Sequence, residues 1–354
     1  MHAIDKILEA ARCSPSADNS QPWKLRVHEN KIEVVHDVKR SARSVLYNID
    51  GVFDFLGLGM LVENIVQAAS SLGLSADMHE TFSGAAKLRL TVTLKPSSLP
   101  ASSPSLYESI FKRAADRRVY KTKSLSPVLK RSMETLAKQA GHTLYIVEEK
   151  KEVAATARHL GLADRLFWGN ALMRDHLISM LRLDERIPST DGLPMYTLGL
   201  GSKGPILLSV LKLAKRFPVL WPVLGLAVSQ GSQQTIRSSG ALCLLTAPSN
   251  PDLAKSAVAG GRIFERLWLT LESENVRLQP VFAPLVLMTN EERGSEGFSP
   301  EEIKQAARIT NFFKEKWPVL REKEKAIAFF RVGYSNLRAL PPSPKRPLSE
   351  LMEN

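Results

Sequence analysis

The nine residues Pro15-Ser16-Ala17-Asp18-Asn19-Ser20-Gln21-Pro22-Trp23 place hydrogen-bonding side chains on a backbone that two prolines make stiff. Each proline fixes φ and withholds an N–H, while Ser16, Asp18, Asn19 and Ser20 can bond nearby backbone groups. A helical pattern over residues 4–12 must therefore stop there, and a rigid polar loop must follow. Asn19 and Gln21 each offer amide donors and a carbonyl acceptor, which suits the alternating edge of a planar heterocycle such as an isoalloxazine. The same spacing also reads as a helix-ending turn with Trp23 as a core anchor.

A second group that could do chemistry is basic. Arg113, Arg117 and Arg118 lie in Lys112-Arg113-Ala114-Ala115-Asp116-Arg117-Arg118-Val119-Tyr120-Lys121, and Lys345-Arg346 stand near the C-terminus. Guanidinium groups bind phosphate through a planar fork of donors, so this clustering suits a phosphorylated ligand. A solvated charge run and, at residues 341–347, a disordered basic tail are the alternative readings. The chain's net charge of +12 leaves nucleic acid or an acidic membrane surface open in principle. Without interleaved aromatics, a helix-turn-helix or a zinc-finger pattern, nucleic acid is not expected as a partner.

Other motifs carry less. Gly199-Leu-Gly201-Ser-Lys-Gly204 matches G-x-G-x-x-G, but residues 192–251 contain no Asp or Glu to meet a ribose. The histidines form no metal-ligand spacing and there is no G-x-S-x-G elbow, so no metal is expected and no catalytic side chain is assigned. Cys13 and Cys243 are the only cysteines, too few and too far apart for a disulfide framework. With no N-terminal apolar signal and no long apolar run, the expected compartment is the cytoplasm, without a transmembrane span.

The elements needed to position these groups come as a repeat. The first segment reads as a helix (4–12), the loop, strands at 24–28 and 32–36, a long apolar helix near 51–72, and strands at 74–78 and 87–94. Breakers at residues 95–104 mark a connection, which puts the boundary near residue 100. The order then recurs: helix 127–140, strand 143–148, a long helix 154–183, strand 242–247 and helix 254–274, and an apolar strand stands later at 326–330. That is a diverged duplication, with a first half at 1–100, a second at 101–354, and an apolar insertion at about 186–235. The second half runs from Ala140 through Gly141 straight into its strand, with no loop like that of residues 15–23.

The loop resembles the P-S-x-x-N-x-Q-P-W signature of flavin mononucleotide (FMN)-dependent nitroreductases, and residues 113–120 resemble the R-x-x-x-R-R-x-Y form of their tandem, two-domain members. The resemblance extends over most of the chain. It implies an α+β fold of two similar mixed β-sheets flanked by helices, a monomeric pseudo-dimer with further oligomerisation open. It also implies one FMN site combining Pro15, Ser16, Asn19 and Gln21 with Arg113, Arg117 and Arg118; the symmetry-related second site is expected to be empty. The family's serine is replaced by Ala115 or Asp116. Residues 277–283 resemble the segment whose backbone lies along the flavin near N5, which singles out Pro280 and Val281, although many relatives have an acidic residue and a glycine where Phe282 and Ala283 stand. The closing segment resembles the family's G-Y…R-x-P-L ending, which adds Lys345 and Arg346.

The implied activity is that of an FMN-dependent NAD(P)H oxidoreductase, passing hydride to FMN and then to a small electron-poor acceptor such as a nitroaromatic or quinone. A flavin-sequestering protein with a lid and little turnover is the alternative, and an interaction module using the basic surface is a third. The acid-free stretch 192–251 reads as a core helix pair, as a lid over the flavin, or as an amphipathic membrane-surface segment.

Overall fold

Buried and open side chains alternate along β1 (Trp23–His28) and β2 (Lys31–His36), so one face of this hairpin must be covered. The cover is a helix, α3 (Val52–Ser71), most of whose residues are buried. The computed structural model describes residues 3–41, 48–82, 88–98, 103–183, 189–201, 204–250, 252–321 and 323–353. Before the hairpin runs α1 (Ala3–Arg12), after it a single turn, α2 (Val38–Ser41), and beyond α3 come β3 (Leu74–Phe82) and β4 (Leu88–Pro96). These strands pair in the order β1-β2-β4-β3. The connection expected at residues 95–104 lies partly outside the described residues; α4 (Pro104–Lys112), which periodicity did not reveal, follows it.

The later part repeats the plan with insertions. α5 (Pro127–Gln139) and β5 (Thr143–Val147) lead into α6 (Lys150–Gly169), α7 (Ala171–Met180), the short parallel pair β6 (Leu181–Arg182) and β7 (Leu193–Pro194), α8 (Gly204–Arg216) and α9 (Trp221–Arg237). Then follow β8 (Ala241–Pro248), α10 (Leu253–Ser273), β9 (Arg277–Pro280), α11 (Ala283–Glu292), α12 (Pro300–Lys316), β10 (Glu324–Gly333) and α13 (Leu348–Leu351). The second sheet runs β5-β8-β10-β9. In chain order both sheets are therefore first-second-fourth-third, each with a long helix between its second and third strands.

Pairing inside each four-stranded sheet is antiparallel. The mixed character comes from the edges, where Met352 bridges Leu25 and Ala115 bridges Leu278 in parallel. The helix expected over 154–183 is two: Asn170 leaves helical geometry at ψ 125°, and its side chain accepts from the Met173 amide, starting α7 afresh.

α3 and α10 cross in contact, and each helps fill the other's core. Phe53, Leu56 and Met60 of α3 join the cluster around the second sheet, while Val258 and Leu269 of α10 join the cluster around the first. Gly59 and Gly261 permit the approach, because a Cβ at either would stand 2.1 Å from a backbone oxygen of the facing helix. The C-terminal arm returns to the first sheet, where the Glu353 amide donates to Leu25 O at 2.8 Å. The tail at residues 341–347 is thus anchored, with Arg346 only 6% exposed.

Candidate functional site

The loop after α1 holds a backbone shape that most side chains avoid. Asp18, Asn19 and Gln21 have φ of 51°, 55° and 50°. Asn and Asp tolerate this left-handed region, and Gln does so less readily. Such strain persists where surrounding contacts over-determine it. Ser16 Oγ accepts from the Gln21 amide at 2.9 Å, Gln21 Nε2 donates to Thr190 O at 2.8 Å, and Gln21 Oε1 accepts from the Arg346 amide at 2.9 Å. Asn19 Nδ2 donates to Gly192 O at 3.2 Å and Pro344 O at 2.8 Å, and its Oδ1 accepts from Lys345 Nζ at 3.0 Å. The loop is thereby clasped between residues 190–192 and the C-terminal arm.

It forms part of the wall of a cavity of about 1690 Å³. That exceeds the roughly 300–1,000 Å³ of ordinary ligand pockets and leaves room for two small molecules. Pro15, Ser16, Asn19, Arg113, Arg117, Arg118, Pro280, Val281 and Lys345 all line it, drawn from four separate stretches of chain. Gln21 and Arg346 do not. Gln21 is fully buried as the clasp just described, and Arg346 turns to Glu350, with Nε 3.2 Å from Oε2.

The lining cations differ in their partners. Arg118 is neutralised by Asp116 at 2.6 Å and also donates to Arg338 O. Arg117 donates to a backbone oxygen, that of Thr197, at 2.8 Å. Arg113 is 5% exposed, lies over the Trp268 ring at 4.6 Å, and stands 3.1 Å from Glu265 Oε1. Neither Glu265 oxygen nor Arg113 Nε meets hydrogen-bond geometry there, so the pair is one of charge rather than of aligned donors. Lys345 Nζ donates to Ser14 O and Asn19 Oδ1, and burial, reinforced by the nearby Arg113 charge, lowers it to about 7. Burial raises Glu265 to about 7, opposed by Arg113 and Lys345. One corner of the cavity thus sets Arg113 and Lys345 beside the Glu265 carboxylate, with burial pushing both Lys345 and Glu265 towards their neutral forms, and an incoming anion would restore the Lys345 charge.

The opposite side is apolar, built from Phe167 and Trp168 of α6, Leu207 and Val210 of α8, and Leu224 and Val228 of α9. Pro280 carries no N–H and Val281 donates its own to Phe329 O at 2.7 Å, so neither backbone position presents an amide to the cavity. Phe282 and Ala283, which also line the cavity, open α11, where the first amides lack intrahelical acceptors and attract negative charge.

Sequence reasoning passed over Glu265, Trp268, Arg331 and Asp164. Glu265 and Trp268 share the helical stripe of Gly261 and Glu272 in α10, where a carboxylate among buried positions was the available signal. Arg331 is fully buried beneath Tyr120 and donates to the carbonyls of Asp116 and Arg118, holding the basic segment in place.

Asp164 lies in the cavity wall, and burial raises its carboxyl from 3.8 to about 7, opposed by a hydrogen bond from Ser232. A folded-state value above the unfolded one stabilises the protein below the unfolded value, and this contribution is lost as pH rises through about 7. Asp164→Asn is expected to remove that component, worth up to about 4 kcal/mol between pH 4 and 8. Denaturant midpoints of the variant should fall less steeply over this range than those of the parent; equal slopes would show that Asp164 is ionised throughout.

Among the described residues no group of His, Cys, Asp or Glu could hold a metal ion, and no helix is long and apolar enough to cross a membrane. No protein-family model matches the chain, and no curated protein matches it. Solved structures similar to it include a nitroreductase with bound FMN from Desulfitobacterium hafniense DCB-2, at 11% identity and TM-score 0.40, covering 71% of this chain and 98% of that one. The FMN-dependent nitroreductase NfnB from Mycobacterium smegmatis in complex with NADPH is similar at 15% identity and TM-score 0.36, covering 71% and 97%. Oxidised iodotyrosine deiodinase bound to FMN and 3-iodo-L-tyrosine follows at 15% and TM-score 0.33, covering 68% and 94%. At these values nothing passes from those proteins to this chain.

Proposed function

We propose that this protein is an FMN-dependent oxidoreductase of the nitroreductase type, built as a tandem pseudo-dimer with halves at 1–100 and 101–354. The carrying observation is the enclosed pair Arg113 and Lys345 beside the strained loop of Asn19, at one corner of a cavity whose far wall is apolar. A flavin nucleotide fits that donor set: an FMN phosphate carries nearly two negative charges, and its ring is planar and largely apolar. The shared strand order of the two sheets supports the tandem reading.

In this reading Arg113, Arg117 and Lys345 hold the phosphate. Pro15, Ser16 and Asn19 shape one side of the ring site and Pro280 and Val281 the other. Gln21 and Arg346 act through the loop, fixing its shape and the path of the arm. FMN, when bound, supplies the two-electron redox chemistry, with NAD(P)H as the proposed donor and a nitroaromatic, quinone or similar molecule as acceptor. The chain orients both molecules, excludes water with α8 and α9, and offers the amides of Phe282 and Ala283 where negative charge develops. Asp164, half protonated near pH 7, can hold a proton at its carboxyl in the apolar part of the cavity.

The roof of α8 and α9 favours a second reading, in which flavin is sequestered and does not turn over. The visible spectrum during anaerobic addition of NADPH, then NADH, decides. Bleaching of bound flavin is expected; a flavin that stays oxidised with both would favour sequestration. No flavin after reconstitution with FMN, or unchanged flavin content and activity in both Asn19→Ala and Arg117→Ala, would sink the composite site.

A further inference from the structure

The hairpin of α8 and α9 exposes apolar side chains on one side of the molecule. Ile206, Leu213, Phe217, Val219, Val223 and Leu226 are 63, 49, 48, 79, 64 and 44% exposed. Positions 206, 213 and 217 share one stripe of α8 and its end, and 219, 223 and 226 one stripe at the start of α9, because i, i+3, i+4 and i+7 positions lie together on a helix. A cluster of this kind is uncommon on a free soluble surface. The hairpin's own small core, Leu211, Ala214, Trp221 and Leu224, is separate from the two sheet cores, so the exposed stripe is not needed to close them.

Two further observations say what covers it. Arg216 and Lys212 lie beside the α8 stripe on the helix's exposed side and Lys215 further round it, all three exposed, and residues 192–251 contain no acid. A second copy apposed through this face about a twofold axis would set these cations against one another, since such interfaces pair a patch with itself. An anionic lipid surface offsets the charge and takes the apolar side chains at its acyl boundary. Ile206, Leu213 and Val223 also line the cavity, so the cavity wall and the exposed stripe share side chains.

We infer that the α8–α9 hairpin docks this protein on anionic membranes, with the cavity mouth facing the bilayer. The docking stands whether or not flavin binds. Its consequence for chemistry, that the acceptor is a lipophilic molecule entering laterally from the bilayer, rests on the proposed flavin site.

The test is co-sedimentation of the full chain with phosphatidylcholine vesicles, with and without phosphatidylglycerol. The protein is expected to pellet with the phosphatidylglycerol vesicles and much less with phosphatidylcholine alone. Lys212→Gln with Lys215→Gln should lower that affinity roughly 30-fold, at about 1 kcal/mol per cation. Phe217→Asp with Val219→Asp, neither of which lines the cavity, should abolish pelleting while circular dichroism and cavity ligand binding stay unchanged. A parent protein that stays in the supernatant with anionic vesicles, or one that self-associates through this face instead, overturns the inference; so does undiminished pelleting of the aspartate variant.

Discussion

Lys345→Met is expected to weaken FMN binding about 100-fold while leaving the apo-protein folded, the size of one buried charge-assisted hydrogen bond. The side chain donates to Ser14 O and Asn19 Oδ1, and burial beside Arg113 lowers its ammonium to about 7. For a base whose folded-state value lies below the unfolded one, folding releases a proton between the two values, so stability rises with pH there. The apo-protein should therefore gain stability from pH 7 towards 10, and the methionine variant should lack that gain. Binding follows the same linkage with the opposite sign. A phosphate beside Nζ restores the charge, so FMN binding takes up a proton above pH 7 and affinity should fall as pH rises, at most tenfold per pH unit. Titrations of the apo-protein with FMN at pH 6.5 and 8.5 read both effects. If the variant binds FMN as the parent does, with the same pH dependence, Lys345 does not meet the phosphate.

Much of this corner was legible in the sequence because its parts are locally unusual. Two prolines bracketing Ser16, Asn19 and Gln21 announce a stiff polar loop, and Arg113, Arg117 and Arg118 crowd into a few residues. Nine of the eleven residues singled out line one cavity. Gln21 and Arg346 differ because each is bonded to the other's segment, a long-range partnership that spacing along the chain does not reveal. Asp164 and Glu265 were hidden for a related reason. A single acid in an amphipathic helix looks solvent-facing until the opposing helix is known, and only the packing of α6 on α9 and of α10 on α3 encloses them.

The fold shows the same division. Apart from β9, which was not read as a strand, the strand edges and the long helix packed on each sheet agree with periodicity to within a few residues, since one covered face forces alternation or a wide apolar stripe. α11 and α12 were missed because they lie between β9 and β10, a span whose Gly294 and Gly297 both sit at positive φ and whose polar run reads as loop. The long helix over 154–183 divides at Asn170, where a side-chain cap overrides a continuing helical pattern.

The largest effect on folding should come from the crossing of α3 and α10. Three glycines in these two helices look alike in sequence, yet the same substitution should act on them with opposite sign. A Cβ at Gly59 would lie 2.1 Å from Val258 O and one at Gly261 2.1 Å from Leu56 O, both backbone atoms that cannot rotate away. Gly57, two residues before Gly59, would place its Cβ 3.5 Å from a Trp23 ring carbon, an ordinary contact. Replacing glycine by alanine within a helix otherwise stabilises by about 1 kcal/mol. Gly57→Ala is therefore expected to raise stability slightly, whereas Gly59→Ala and Gly261→Ala must separate the helices and should each cost about 3 kcal/mol or more. Because Phe53, Leu56 and Met60 reach the far core from this helix, the separation loosens both cores together. Denaturant unfolding followed by tryptophan emission should show one shifted transition in each crossing variant. Gly59→Ala and Gly261→Ala with parental midpoints would mean that the two helices do not touch there, and the joint cavity wall built on that crossing would go with them.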